Sequence, residues 1–188
     1  MRGHAYRTIQ LSITCSLTCI GFMSTYLPRR KSPRLANYDY SLSRAYFVTI
    51  CSYQRISLFG EISESEMQLN SVGEIAAECW VAITEHFPQV ALDLWVVMPN
   101  HMHGILVLDN DDPHYKHVKK TTLGNVINTY KGAVTRKLRQ LDVLSEPRVW
   151  QGRYHDHIIR DERGLNALRE YVLYNPARWE KDKFYNSG

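Results

Sequence analysis

The sequence contains no CxxC pair, although it has four cysteines, Cys15, Cys19, Cys51 and Cys79. The spacing of a zinc knuckle is therefore missing, and the four read as free or buried thiols of a reducing compartment. No internal repeat or low-complexity segment occurs, which excludes solenoids and compositionally biased arrays. Neither sign of charge dominates: 23 Lys and Arg stand against 19 Asp and Glu, a formal net charge of +4. That excess is compatible with a nucleic-acid partner and does not establish one. A long apolar run is missing too. Ile9 to Met23 follows Arg2 and Arg7 in the manner of a signal peptide, but Gln10, Ser12, Thr14, Ser16 and Thr18 interrupt it and no small-residue cleavage site follows. The stretch is too short and too polar to span a bilayer. Residues 1–28 are accordingly read as an extension, with Met23 as an alternative start, and the expected setting is cytoplasmic without membrane contact.

What is present describes an ordinary soluble domain. The chain is 44% hydrophobic and 22% charged, enough for one core over residues 29–182, followed by a tail at 183–188. Ala45 to Tyr53 is rich in aromatic and β-branched residues and predicts a strand, with a short extended piece at 58–62. From Gln68 to Phe87 apolar residues recur at helical spacing and Pro88 follows. Val90 to Met98 and His101 to Leu108 predict two strands around a Pro99-Asn100 turn, and Leu123 to Leu141 a helix. Val149 to Arg160 predicts a strand with its approach loop, and Arg163 to Tyr174 a last helix. This order fits an α+β, ferredoxin-like or RRM-like split βαβ, an antiparallel sheet with helices packed on one face.

His101 and His103 stand two apart on a predicted strand, so both imidazoles point to one face and can share a divalent ion. With eight histidines in the chain an HxH pair alone is close to a chance outcome, and a second stands at His155 and His157. The first pair lies between two apolar runs, in Trp95-Val96-Val97-Met98-Pro99-Asn100-His101-Met102-His103-Gly104-Ile105-Leu106-Val107. Burying two imidazoles there without partners would be costly, which favours a metal site over a structural pair. The second pair lies among Arg153, Tyr154, Asp156 and Arg160 and reads as a surface or DNA-contacting element. On the last helix Tyr171 and Asn175 are spaced i, i+4 and share a face. A phenol there can serve as a nucleophile while the Asn175 carbonyl completes a metal shell; spacing alone favours an ordinary core edge.

Four segments together resemble the REP-associated tyrosine transposases of the HUH single-tyrosine superfamily (IS200-like transposases): AYFVTICSYQR (45–55), WVVMPNHMHGILVL (95–108), VWQGRYHDHIIR (149–160) and LREYVLYNPARW (168–178). With the preceding RRKSPRLANYDYS the likeness spans roughly residues 29 to 182. The resemblance implies a histidine–hydrophobic–histidine metal motif at His101, Met102 and His103, a nucleophilic tyrosine at Tyr171, and a polar residue completing the metal site at Asn175. It implies cleavage of single-stranded DNA near a hairpin, with a 5′-phosphotyrosine intermediate, a free 3′-hydroxyl and Mg²⁺ or Mn²⁺ as cofactor, by a monomer or homodimer. Residues 1–28 have no counterpart in that pattern, and Tyr130, beside Lys131, is a rival nucleophile.

DNA contacts are expected from Lys131, Arg136, Arg153 and Arg160 and from a basic arm with Arg29 and Arg30. Trp150 and Tyr154 are expected to stack unpaired bases. Two other functions compete: a non-catalytic nucleic-acid-binding module on the same scaffold, and a metallo-hydrolase that uses a metal-bound water without a tyrosine adduct.

Overall fold

The structure, a computed structural model, describes Leu35, residues 37–143 and residues 148–185. The expectations for residues 1–28 and for the arm with Arg29 and Arg30 lie outside those residues. The aromatic and β-branched run forms β1 (Arg44–Cys51). A short hairpin of β2 (Gly60–Ser63) and β3 (Glu66–Leu69) follows. The extended piece expected at 58–62 is thus one arm of a hairpin, and the helix begins later than Gln68. Asn70 caps α1 (Ser71–Val81), its Oδ1 accepting from the Val72 and Gly73 amides at 3.0 Å. After Ala82 a single turn, α2 (Ile83–His86), completes the apolar stretch.

β4 (Val90–Met98) and β5 (His101–Leu108) form a hairpin around Pro99-Asn100. Then come α3 (Leu123–Gln140), capped by Thr122, β6 (His155–Ile159), and α4 (Glu162–Leu173), capped by Asp161. Only the last part of the strand expected over Val149–Arg160 is regular; Trp150 makes a lone bridge to Ser52 before β6 begins. The four longer strands pair antiparallel in the order β4-β5-β1-β6, the split βαβ arrangement.

Strand alternation divides the apolar residues between two faces. Tyr46, Val48 and Ile50 of β1 and Met102 and Leu106 of β5 meet α1 and α3. There a Cβ at Gly104 would come 2.3 Å from the Trp80 ring, so glycine at that point lets α1 lie close on the sheet. Phe47, Ile105 and Ile159 point the other way and meet Leu165, Leu168 and Val172 of α4. Helices on one face describes α1 and α3; α4 covers the opposite face, because its apolar stripe matches the other set of alternating residues. No helix among the described residues is long and apolar enough to cross a membrane.

Candidate active site

His101 and His103 open β5 directly after the Pro99-Asn100 turn, on the face that α4 covers. Both are fully buried, and their Nε2 atoms lie 3.0 Å apart. His103 sits opposite Thr49 of β1, whose Oγ1 is 2.9 Å from His103 Nδ1. His101 is held by its neighbour: Asn100 Nδ2 donates to the Phe184 carbonyl at 2.8 Å, which turns Asn100 Oδ1 towards His101 Nδ1 at 2.9 Å. His101 then carries its proton on Nδ1 and presents a lone pair on Nε2. Burial pushes the His101 pKa down to about 4, against the pull of Asp182. Burial, then the neighbouring His101, holds His103 well below the ordinary range. Both rings are neutral at pH 7, the state in which imidazoles bind metals.

α4 delivers Tyr171 to the same place. Its Oη lies 3.2 Å from His103 Nε2 and donates to Asp182 Oδ2 at 3.0 Å. Asn175 Nδ2 donates to the same carboxylate oxygen at 3.0 Å. Asp182 Oδ1 accepts from the Phe184 amide at 2.7 Å, which seats the Phe184 ring 4.7 Å from His101. Burial, followed by the Asp182 charge and its hydrogen bond, raises the Tyr171 pKa above the ordinary phenol value, so the hydroxyl is protonated at neutral pH.

These residues fit a divalent cation. The ligating atoms of His101, His103 and Asp182 all lie within 4.8 Å of one another. The two Nε2 atoms, 3.0 Å apart, would both be donors to one ion held there. Asn175 Oδ1 is buried and has no donor among the described residues, which leaves it available as a ligand.

His101, His103, Tyr171 and Asn175 are therefore brought together, while Lys131 and Arg136 lie on the other face of the sheet. Lys131 and Arg136 are on α3, across the sheet from α4, and Arg153 and Arg160 are exposed on either side of β6. Lys131 Nζ donates to the Gln151 carbonyl, and burial lowers its pKa. Base stacking on Trp150 and Tyr154 is not supported: both are buried in the core, and Trp150 Nε1 donates to the Lys131 carbonyl. Their apolar area closes the gap under α3 instead. Tyr130 is a core residue of that same face, its hydroxyl 3.3 Å from the Ala76 carbonyl. His155 and His157 are exposed on β6, opposite Thr49 and Phe47.

Three contributors escape sequence reasoning. Asp182 and Phe184 follow the 3₁₀ stretch Pro176–Lys181, where no periodicity marks an inward side chain. Phe184, expected in a tail, is 3% exposed. Asn100 reads as a turn former; a hint of its second role is its position next to a buried histidine.

Comparison with known proteins gives three relatives. An uncharacterised protein of Haemophilus influenzae is 36% identical over 169 residues, 83% of this chain and 93% of that protein. A candidate REP-associated tyrosine transposase of the same organism is 22% identical over 150 residues, 77% of each chain. The solved structure of a REP-associated tyrosine transposase bound to a REP hairpin shares the fold, with a TM-score of 0.57 and 18% identity over 80% of this chain and 77% of that one. No protein-family model matches the chain.

Proposed function

We propose that the chain is a transposase of the REP-associated, IS200-like kind, to which one relative and the shared fold point, and that it cleaves and rejoins single-stranded DNA next to a hairpin, with Tyr171 as nucleophile. The observation that carries this reading is the 3.2 Å approach of Tyr171 Oη to His103 Nε2 within a single chain. His101, His103 and either Asp182 or Asn175 are the residues that would hold Mg²⁺ or Mn²⁺. Such an ion polarises phosphoryl oxygens and offsets the charge of an in-line transition state.

The chain's own part is positioning and proton transfer. Asp182 Oδ2 already accepts the Tyr171 proton in a hydrogen bond and is the acceptor in place as the phenol attacks. The Tyr171 oxygen bonds to phosphorus, the bond to the 3′ oxygen breaks, and that oxygen leaves as a hydroxyl after gaining a proton. Attack by a 3′-hydroxyl reverses the step and releases the tyrosine. One ester bond replaces another each time, so no nucleotide hydrolysis is required. The strand must displace Phe184 to reach the buried histidines.

The test is incubation of the full chain with labelled, hairpin-bearing single-stranded DNA and Mn²⁺. A denaturation-resistant protein–DNA adduct that is absent in Tyr171→Phe is expected. Binding without an adduct favours a non-catalytic module, and cleavage that survives Tyr171→Phe favours a hydrolase.

A further inference from the structure

The chain leaving β1 is bent in a way that its strand pairing does not require. Gln54 and Arg55 follow one another with φ of 55° and 59°, in the left-handed region where glycine sits freely and other residues pay a penalty. A second such pair, Glu64 and Ser65, has a plain reason: it makes the turn of the β2–β3 hairpin. Gln54 and Arg55 join no hairpin, because β1 pairs with β5 and β6 and not with the strand that follows it. The bend is nonetheless firmly held. The Ser52 amide donates to the Asn100 carbonyl at 2.9 Å and the Tyr53 amide to the Val149 carbonyl at 2.8 Å, while Ser52 Oγ donates to the Ile56 carbonyl at 2.8 Å. It is thus fastened to the residue that precedes His101.

What the bend places is the Arg55 side chain. Its Cζ lies 5.1 Å from the centre of the Phe184 ring, and that ring lies 4.7 Å from His101. Arg55 therefore stands one ring away from the paired histidines. Burial is the main reason that His101 stays neutral, and the charges of Lys183 and Arg55 add to it. Lys183 Nζ is 4.8 Å from the same ring, but it is the chain neighbour of Phe184 and would leave with it when a strand displaces that ring. Arg55 stands on the fastened bend and would remain. An arginine kept where the backbone favours glycine points to a use for its side chain. Freed of the ring, its guanidinium can turn a two-pronged fork onto phosphate oxygens.

We infer that Arg55 is a further catalytic residue, its guanidinium binding the non-bridging oxygens of the scissile phosphodiester once Phe184 has made way. Arg55 forms and breaks no covalent bond; its charge offsets the charge that builds on those oxygens as Tyr171 attacks. The inference takes the phosphodiester from the proposed function, and its test separates the two. Single-turnover adduct formation by the full chain with Mn²⁺ would be followed on hairpin-bearing single-stranded DNA. The scissile linkage would be either a phosphodiester or a methylphosphonate, which lacks the charged oxygen. On the phosphodiester Arg55→Gly should be slower by at least about 100-fold, with Arg55→Lys in between. On the methylphosphonate the gap between wild type and Arg55→Gly should shrink to within about fivefold, because the charge to be offset is gone. Arg55→Gly relieves the backbone and should melt no lower than wild type. A wild-type rate in Arg55→Gly, an equal loss on both linkages, or a loss that merely follows lowered stability would overturn the inference. A wild-type protein that forms no adduct removes the strand-transfer reading alone. In that case fluorescence anisotropy of Tyr171→Phe should show tighter binding of the phosphodiester than of the methylphosphonate, a preference that Tyr171→Phe/Arg55→Gly loses. A preference retained without Arg55 would overturn the inference there too.

Discussion

Arg169 grips Asp93 in a fork: Nε lies 3.1 Å from both carboxylate oxygens and Nη2 lies 2.6 Å from Oδ2. Asp93 falls in the irregularity of β4 between Leu92 and Trp95, where the register with β5 shifts. The bulge frees its side chain from strict alternation and turns it towards α4. Arg169 precedes Tyr171 by two residues, so the pair fixes the rotation of the helix that carries the phenol. The guanidinium holds the Asp93 carboxyl below its usual range.

Arg169→Ala should therefore harm chemistry more than stability. The Arg169 side chain is 40% exposed and that of Asp93 19%, so breaking the pair should cost little stability. Adduct formation depends on where Tyr171 points and should slow roughly tenfold. Arg169→Lys keeps the charge, loses the fork, and should recover part of the rate. Single-turnover adduct kinetics set beside melting curves would check this; a rate loss that only follows the stability loss would remove the pair from a positioning role.

Asp182 accepts from both Tyr171 Oη and Asn175 Nδ2. Its negative charge makes a phenolate beside it unfavourable, so Asp182→Asn should lower the Tyr171 pKa. An alkaline titration of tyrosinate absorbance, with Tyr171→Phe to assign the group, reads the change directly. The same variant should bind Mn²⁺ more weakly, because an amide oxygen is a poorer ligand than a carboxylate. Titrations that superimpose on wild type would show that Asp182 does not control the phenol.

Acid should unfold the metal-free protein early. Between about 4 and 6.5 His101 is protonated in the unfolded chain but not in the fold, so the unfolded state binds more protons there. The stability it contributes is complete above 6.5 and is lost as pH falls towards 4. That loss is of order 3 kcal/mol, and the depressed value of His103 adds to it in the same direction. Urea midpoints measured from pH 7.5 down to about 4.5 should fall steadily, and His101→Gln should flatten the slope. Midpoints that hold constant across this range would contradict a neutral buried pair.

The parts that sequence reading reaches are those governed by short-range pattern. β4 and β5 fall where two apolar runs flank Pro99-Asn100, and the alternation that buries Ile105 turns His101 and His103 the same way. Tyr171 and Asn175 share a face because α4 and the turn after it keep helical spacing. The start of α1 is misplaced because Gln68 and Leu69 continue its periodicity, yet they pair with Glu61 and Gly60; that pairing is a tertiary event. Asp182 and Phe184 reach the site through a chain reversal after Pro176, and nothing local marks it. Lys131 and Trp150 look like DNA-facing residues until burial and the Gln151 contact are seen.

Asn100 gives the sharpest test of how the site is held. Its amide is fully buried and makes two hydrogen bonds of opposite sense, donating to the Phe184 carbonyl and accepting from His101. Asn100→Leu removes both and leaves a buried carbonyl and a buried imidazole N–H without partners, a cost of about 2 kcal/mol. Asn100→Asp is the more telling change. It can still accept from His101, but its carboxylate faces the Phe184 carbonyl, so the seat of Phe184 is lost while the His101 tautomer is kept. Calorimetric titration with Mn²⁺ should then show Asn100→Leu weakened by roughly 10- to 100-fold and Asn100→Asp much less affected. Both variants should leave Phe184 open to solvent, visible as faster amide exchange at residues 182–185. Equal Mn²⁺ affinities in the two variants would mean that the tautomer of His101 is set by something other than Asn100.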